Sequence, residues 1–129
     1  MVGLIGRFHQ DDPIPAVFLV EEEDALRRSM RCCLEQEGYQ VLEAKTATHA
    51  DLVAAAFRQP IAVLVSEFGA GQPPERLHVS ATLHLSGYRH DRLPPDVDVL
   101  RKPFPMIEFR RRVRALLERA ATPPVGIVP

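Results

Sequence analysis

The stretch Phe18-Leu19-Val20-Glu21-Glu22-Glu23-Asp24-Ala25-Leu26-Arg27 turns from apolar to acidic at a single peptide bond and then takes up a helical rhythm. The run Ala16 to Val20 before the break is rich in β-formers, is too short for a buried helix, and suits a central parallel strand. After it, Asp24 can cap a helix in which Leu26, Met30, Cys33, Leu34 and Glu37 recur at helical spacing. Gly38 stands where a left-handed residue would close that helix. Strand followed by helix is the opening of a wound α/β unit.

The same rhythm continues. Tyr39 to Glu43 reads as a more peripheral strand, and Thr46 or Thr48 can cap a helix with Leu52, Val53, Ala56 and Phe57 on one side. Ile61 to Val65 is a strongly apolar third strand. The alternation β-α-β-α-β predicts a parallel sheet with right-handed crossovers. Past Glu67 the rhythm falters. Residues 68 to 81, before the next expected strand at Thr82 to Leu85, carry Gly69, Gly71, Pro73 and Pro74, and a full crossover helix hardly fits there. Tyr88 to Asp96, before the last strand at Val97 to Arg101, has no helical period and contains Pro94-Pro95. The final helix is plain: Phe109, Val113, Leu116 and Leu117 form an apolar stripe, with Arg110, Arg111, Arg112, Arg114 and Arg119 largely off it.

Three of these strands end in polar residues: Val20-Glu21-Glu22-Glu23, Val65-Ser66-Glu67-Phe68 and Leu100-Arg101-Lys102-Pro103-Phe104. In open α/β sheets, ligands bind in the crevice beyond the carboxyl ends of the strands. Two acidic clusters and one lysine therefore converge on one pocket, a combination suited to a phosphate or metal switch.

The whole chain sets bounds on this reading. Its 129 residues suit one domain, with residues 1–15 as a loose arm and 121–129 as a disordered tail. With 16 basic and 17 acidic residues, no global charge argues for nucleic acid or an anionic membrane as partner. No apolar run approaches a membrane span, and residues 1–15 lack the pattern of a secretion signal. Cys32 and Cys33 are adjacent, a strained arrangement for a disulfide, so a cytoplasmic chain with reduced thiols is expected.

In this order, the motifs resemble those of bacterial response-regulator receiver domains, the CheY-like modules of two-component signalling, over residues 16–120. Phe18 to Arg27 looks like that family's first strand, acidic pair and first-helix start; Gly38-Tyr39 and Val41 to Ala44 resemble the approach to its second strand. Ser86-Gly87-Tyr88 resembles the hydroxyl-bearing end of its fourth strand, and Lys102-Pro103-Phe104 its Lys-Pro-Phe signature. The resemblance implies a flavodoxin-like doubly wound five-stranded parallel sheet, order 2-1-3-4-5, here with the third and fourth helices shortened or missing. It implies that Glu21 and Glu22, together with Glu67, would help hold Mg²⁺. Lys102 would contact a phosphoryl group, Ser86 would supply the hydroxyl, and the Lys102-Pro103 bond would be cis. The phospho-acceptor position falls on Glu67, with Ser66 as the alternative.

The departures from that pattern redirect the expectation. Glutamate in place of the acceptor aspartate moves the carboxylate outward by one methylene, in chemistry that tolerates little misplacement. Val99 stands where an aromatic switch residue is usual, and the trimmed connections after Glu67 and Ser86 alter the usual output face. The resulting expectation is a phosphorylation-independent protein-interaction module, not an enzyme beyond weak formation and loss of its own acylphosphate, in which Glu67 pairs with Lys102 as a fixed charge lock. The alternative is a working response regulator phosphorylated by a histidine kinase with Mg²⁺. A histidine kinase or a downstream signalling protein would be the partner, with a homodimer as a further option. A third reading, a small-molecule binder, lacks a glycine-rich phosphate loop, since Gly69-Ala70-Gly71 is only a turn.

Simpler roles stand beside these. Residues Glu21 to Asp24 also suit a helix N-terminus through the helix dipole. Arg110, Arg111 and Arg112 are either a solvated face or a docking patch for an acidic partner. Ser86 can merely cap a loop, Cys33 falls on the packed stripe, and the five histidines show no ligand spacing.

Overall fold

The computed structural model describes residues 14–67, 78–87 and 98–121. Strands β1 (Ala16–Val20), β2 (Gln40–Ala44), β3 (Ile61–Glu67), β4 (Val79–Ser86) and β5 (Asp98–Arg101) form one parallel sheet in the order β2-β1-β3-β4-β5. Among the described residues there are three helices: α1 (Asp24–Gln36), α2 (Ala47–Ala56) and α3 (Met106–Ala121). This is the flavodoxin-like doubly wound sheet expected from the sequence.

Burial explains the sequence pattern. Every residue of β1 is buried because β2 and β3 flank it and helices cover both its faces, which is why it reads as an unbroken apolar run. On one face, Met30 and Leu34 of α1 and Phe109, Val113 and Leu116 of α3 pack on Val17, Leu19, Val63 and Leu83. On the other, Ala50 and Ala54 of α2 pack on Phe18 and Leu64. Each large side chain removed from water contributes roughly 1.5–3 kcal/mol. The Phe109 ring stacks on Phe104 with centroids 5.9 Å apart, which seats the start of α3 beside the end of β5.

The helix ends follow local chemistry. Gly38 takes φ 90° and closes α1: its N–H reaches the Glu35 carbonyl, and the Tyr39 N–H reaches Leu34. Thr46 caps α2 by accepting from the His49 N–H at 3.1 Å.

Several expectations need correction. Asp24 does not cap α1 but is its first residue; Glu23 is the cap position and makes no side-chain cap hydrogen bond. Strand β2 runs one residue later than expected. Strand β4 is longer at both ends than Thr82 to Leu85, because pairing with β3 draws in Val79 to Ala81, starting with Ile61 opposite Val79. Val53 of α2 and Phe57 just after it pack on the core as expected, but Leu52 and Ala56 are exposed, and Ala50 and Ala54 face the sheet, small residues one turn apart that let the helix approach closely. Pro15, assigned to the arm, is tied to the sheet through its carbonyl, which accepts from the Gln40 N–H at 2.9 Å. Helix α3 takes in Ala121, the first residue assigned to the tail. The expectations for shortened third and fourth helices, for residues 1–13 of the arm and for residues 122–129 lie outside the described residues.

Candidate functional site

The parallel register sets the levels of the strand ends. Val20 of β1 stands opposite Ser66 of β3, Ser66 opposite His84 of β4, and His84 opposite Val99 of β5. Glu21 and Glu67 each come one residue beyond that row, on neighbouring strands, and so reach the same level at the rim of the sheet. Lys102 follows Arg101, the partner of Ser86, and its own N–H donates to the Ser86 carbonyl at 2.8 Å. The Lys102-Pro103 bond is cis.

The lysine bridges the two carboxylates. Lys102 Nζ donates to Glu21 Oε1 at 2.7 Å and lies 3.7 Å from Glu67 Oε1. The side chain of Glu21 is 2 % exposed, that of Lys102 16 % and that of Glu67 32 %. The sequence expectation paired Lys102 with Glu67; the closer and more deeply buried partner is Glu21. Burial decides the ranking, because a charge removed from water must find a counter-charge, whereas Glu67 keeps solvent contact.

Glu21 is held at both oxygens. Its Oε2 accepts from the Glu23 N–H at 2.9 Å, so Glu21, not Asp24, satisfies an orphan donor at the start of α1. Its backbone is fixed too, since the Glu21 N–H donates to the Ala44 carbonyl and its own carbonyl accepts from Arg27 Nη1 at 2.7 Å.

Arg27 is the residue that reading by motif overlooked. Besides the Glu21 carbonyl, its guanidinium reaches Glu43 Oε1 at 3.1 Å and Asp24 Oδ1 at 2.7 Å, and Glu43 also accepts from Arg31 at 2.6 Å. The Asp24–Arg27 spacing of three residues was a visible helix pair. Glu43 lies on β2, outside the helix, and gives no local signal. Burial raises the Glu43 carboxyl, but its hydrogen bonds from Arg31 and Arg27 outweigh that and hold it below the usual carboxylate range. The Arg27 hydrogen bond and the nearby Lys45 likewise lower Asp24.

Other candidate residues sit apart. Glu22 is exposed. Ser86 is buried, with its hydroxyl directed to the Gly87 carbonyl at 3.3 Å, and Ser66 directs its own to the Glu67 carbonyl at 3.4 Å. Arg110, Arg111 and Arg112 do not act as one patch: Arg110 pairs with Glu37 at 3.6 Å, Arg112 with Glu108 at 3.2 Å, and Arg111 is exposed. Both cysteines are free thiols, and burial pushes Cys33 up. His84, half-buried on β4, is lowered by burial.

A magnesium ion would need near-octahedral oxygens at short range. Among the described residues no three His, Cys, Asp or Glu side chains are grouped to hold a metal ion. Glu21, Glu22 and Glu67 as they sit do not fit one, since an ammonium fills the gap between two of them and the third points to solvent.

This sheet order with a lysine and acids at its rim is the architecture of receiver domains, and comparison with solved structures agrees. The chain is similar to a response regulator receiver protein from Sinorhizobium medicae WSM419, at 19 % identity and TM-score 0.66, covering 83 % of this chain and 97 % of that one. It is also similar to the receiver domain of the hybrid histidine kinase CckA, at 26 % identity and TM-score 0.64, over 79 % of this chain and 98 % of that domain. Full-length FixJ from B. japonicum matches at 19 % identity and TM-score 0.62, over 83 % of this chain and 59 % of that one. No family model matches the sequence, and no curated protein does. The fold is that of the CheY-like receiver domain. No helix among the described residues is long and apolar enough to cross a membrane.

Proposed function

We propose that this chain is an atypical receiver module of two-component-type signalling that acts by protein contact and does not depend on phosphoryl transfer. The carrying observation is that Lys102, the position expected to meet a phosphoryl group, already spends its charge on Glu21 at 2.7 Å and faces Glu67 at 3.7 Å. An incoming phosphoryl group would have to displace a buried carboxylate from its only short cationic contact described at this rim. The acceptor position also holds the longer carboxylate, whose oxygen is misplaced for in-line attack by about the length of one methylene. The pocket therefore serves as a fixed brace across the ends of β1, β3 and β5.

The partner would be a histidine kinase or a downstream signalling protein. Of the three arginines considered for docking, Arg111 is the exposed one and the first to reverse in charge. Incubation with a small phosphodonor and Mg²⁺, followed by intact mass, tests the proposal. The mass should not change; stable phosphorylation mapped to Glu67 or Ser66 would reject it in favour of a working response regulator.

A further inference from the structure

We infer that Lys102 is the resident cation of the rim pocket and that the chain admits no divalent cation between Glu21 and Glu67. This goes beyond the signalling role proposed above and does not rest on it, because it concerns only what the pocket binds. Three observations carry it. Both oxygens of Glu21 are engaged, Oε1 by the Lys102 ammonium at 2.7 Å and Oε2 by the Glu23 N–H at 2.9 Å, and the side chain is 2 % exposed. The same ammonium stands 3.7 Å from Glu67 Oε1, so an ion bridging the two carboxylates would stand beside a like charge.

The loop carrying Glu21 is also tethered from outside the pocket. Arg27 holds the Glu21 carbonyl at 2.7 Å while its other nitrogens hold Asp24 and Glu43, so the loop cannot open around an ion without breaking that fork. Glu22 and Glu23, the other acids of the loop, are exposed, and the ion pairs of Lys102 are with Glu21 and Glu67. Hard divalent ions need several oxygens at once, and the pocket offers two carboxylates of which the more buried is already paired with an ammonium.

Removing the ammonium should expose what it masks. Titration of the metal-free chain with Mn²⁺, followed by the paramagnetic resonance of the free ion, should show no saturable site in the wild type, and Mg²⁺ should leave its thermal midpoint unmoved. The Lys102→Gln chain should gain one site, roughly tenfold or more tighter than any wild-type uptake, and the Lys102→Gln/Glu21→Gln chain should lose it again. A wild-type site that Glu21→Gln abolishes would overturn the inference, and that measurement needs no lysine variant to fold. A folded Lys102→Gln chain that takes up no Mn²⁺ would overturn it equally, since the exclusion would then not be due to Lys102. Whether the chain accepts a phosphoryl group is read separately, by the mass experiment.

Discussion

Lys102 and Glu21, 81 residues apart in sequence, meet in a 2.7 Å ion pair that joins the end of β5 to the end of β1 across two intervening strands. Removing one partner of a buried pair leaves the other without a counter-charge, at a cost of about 3 kcal/mol where one partner keeps some solvent contact. Lys102→Met should therefore lower stability in urea by about that amount. The Lys102→Met/Glu21→Gln chain should recover part of the loss. A double variant that is worse than the sum of the singles would contradict the pairing.

Glu67 should matter less for stability than its position suggests. At 3.7 Å from Lys102 and 32 % exposed, its pair is partly screened, and Glu67→Gln should cost under about 1 kcal/mol. The same urea titration ranks the two glutamates, and a larger loss at Glu67 than at Glu21 would reverse the assignment.

Arg27 should be intolerant of lysine. Its guanidinium serves the Glu21 carbonyl, Glu43 and Asp24 at once, a fork that a single ammonium cannot reproduce. Arg27→Ala and Arg27→Lys should each cost about 1–3 kcal/mol, within a factor of two of each other. Hydrogen exchange at the Glu23 and Asp24 amides should accelerate in both.

Acid should weaken the fold in part through Glu43. Its carboxyl is lowered from its usual 4.5 despite the opposing effect of burial, because Arg31 and Arg27 hydrogen-bond the charged form. A carboxyl depressed on folding binds fewer protons in the native state, so its contribution is full above pH 4.5 and is lost as pH falls through the lower folded-state value. The stability gap between wild type and Glu43→Gln should be about 1 kcal/mol near neutrality and shrink under acid, measured by urea unfolding at several pH values. A gap that widens in acid would give the wrong sign.

What was legible in the sequence was what repeats with a local period. The all-buried β1, the stripe of α3 and the closing Gly38 are each written within a few residues. The extra length of β4 was not, because Val79, Ser80 and Ala81 become strand only by pairing with β3. The packed face of α2 is legible only in part: Val53 and Phe57 pack on the core as their spacing predicts, but closeness to the sheet selects Ala50 and Ala54 over the more hydrophobic Leu52. At the rim, the motif supplied Lys102, Glu21 and Glu67 but not which glutamate lies nearer, since burial is decided by neighbours from other strands. Arg27 and Glu43 were missed because their contact spans 16 residues and belongs to no motif.

The Lys102–Glu21 pair also bears on how the chain reaches its fold. A contact between side chains 81 residues apart should form after the intervening strands have docked, because their docking is what brings the two strand ends together. Interactions made after the folding barrier govern the rate of unfolding more than the rate of folding. On that expectation the pair should work as a latch on the finished sheet, its loss speeding unfolding more than it slows folding.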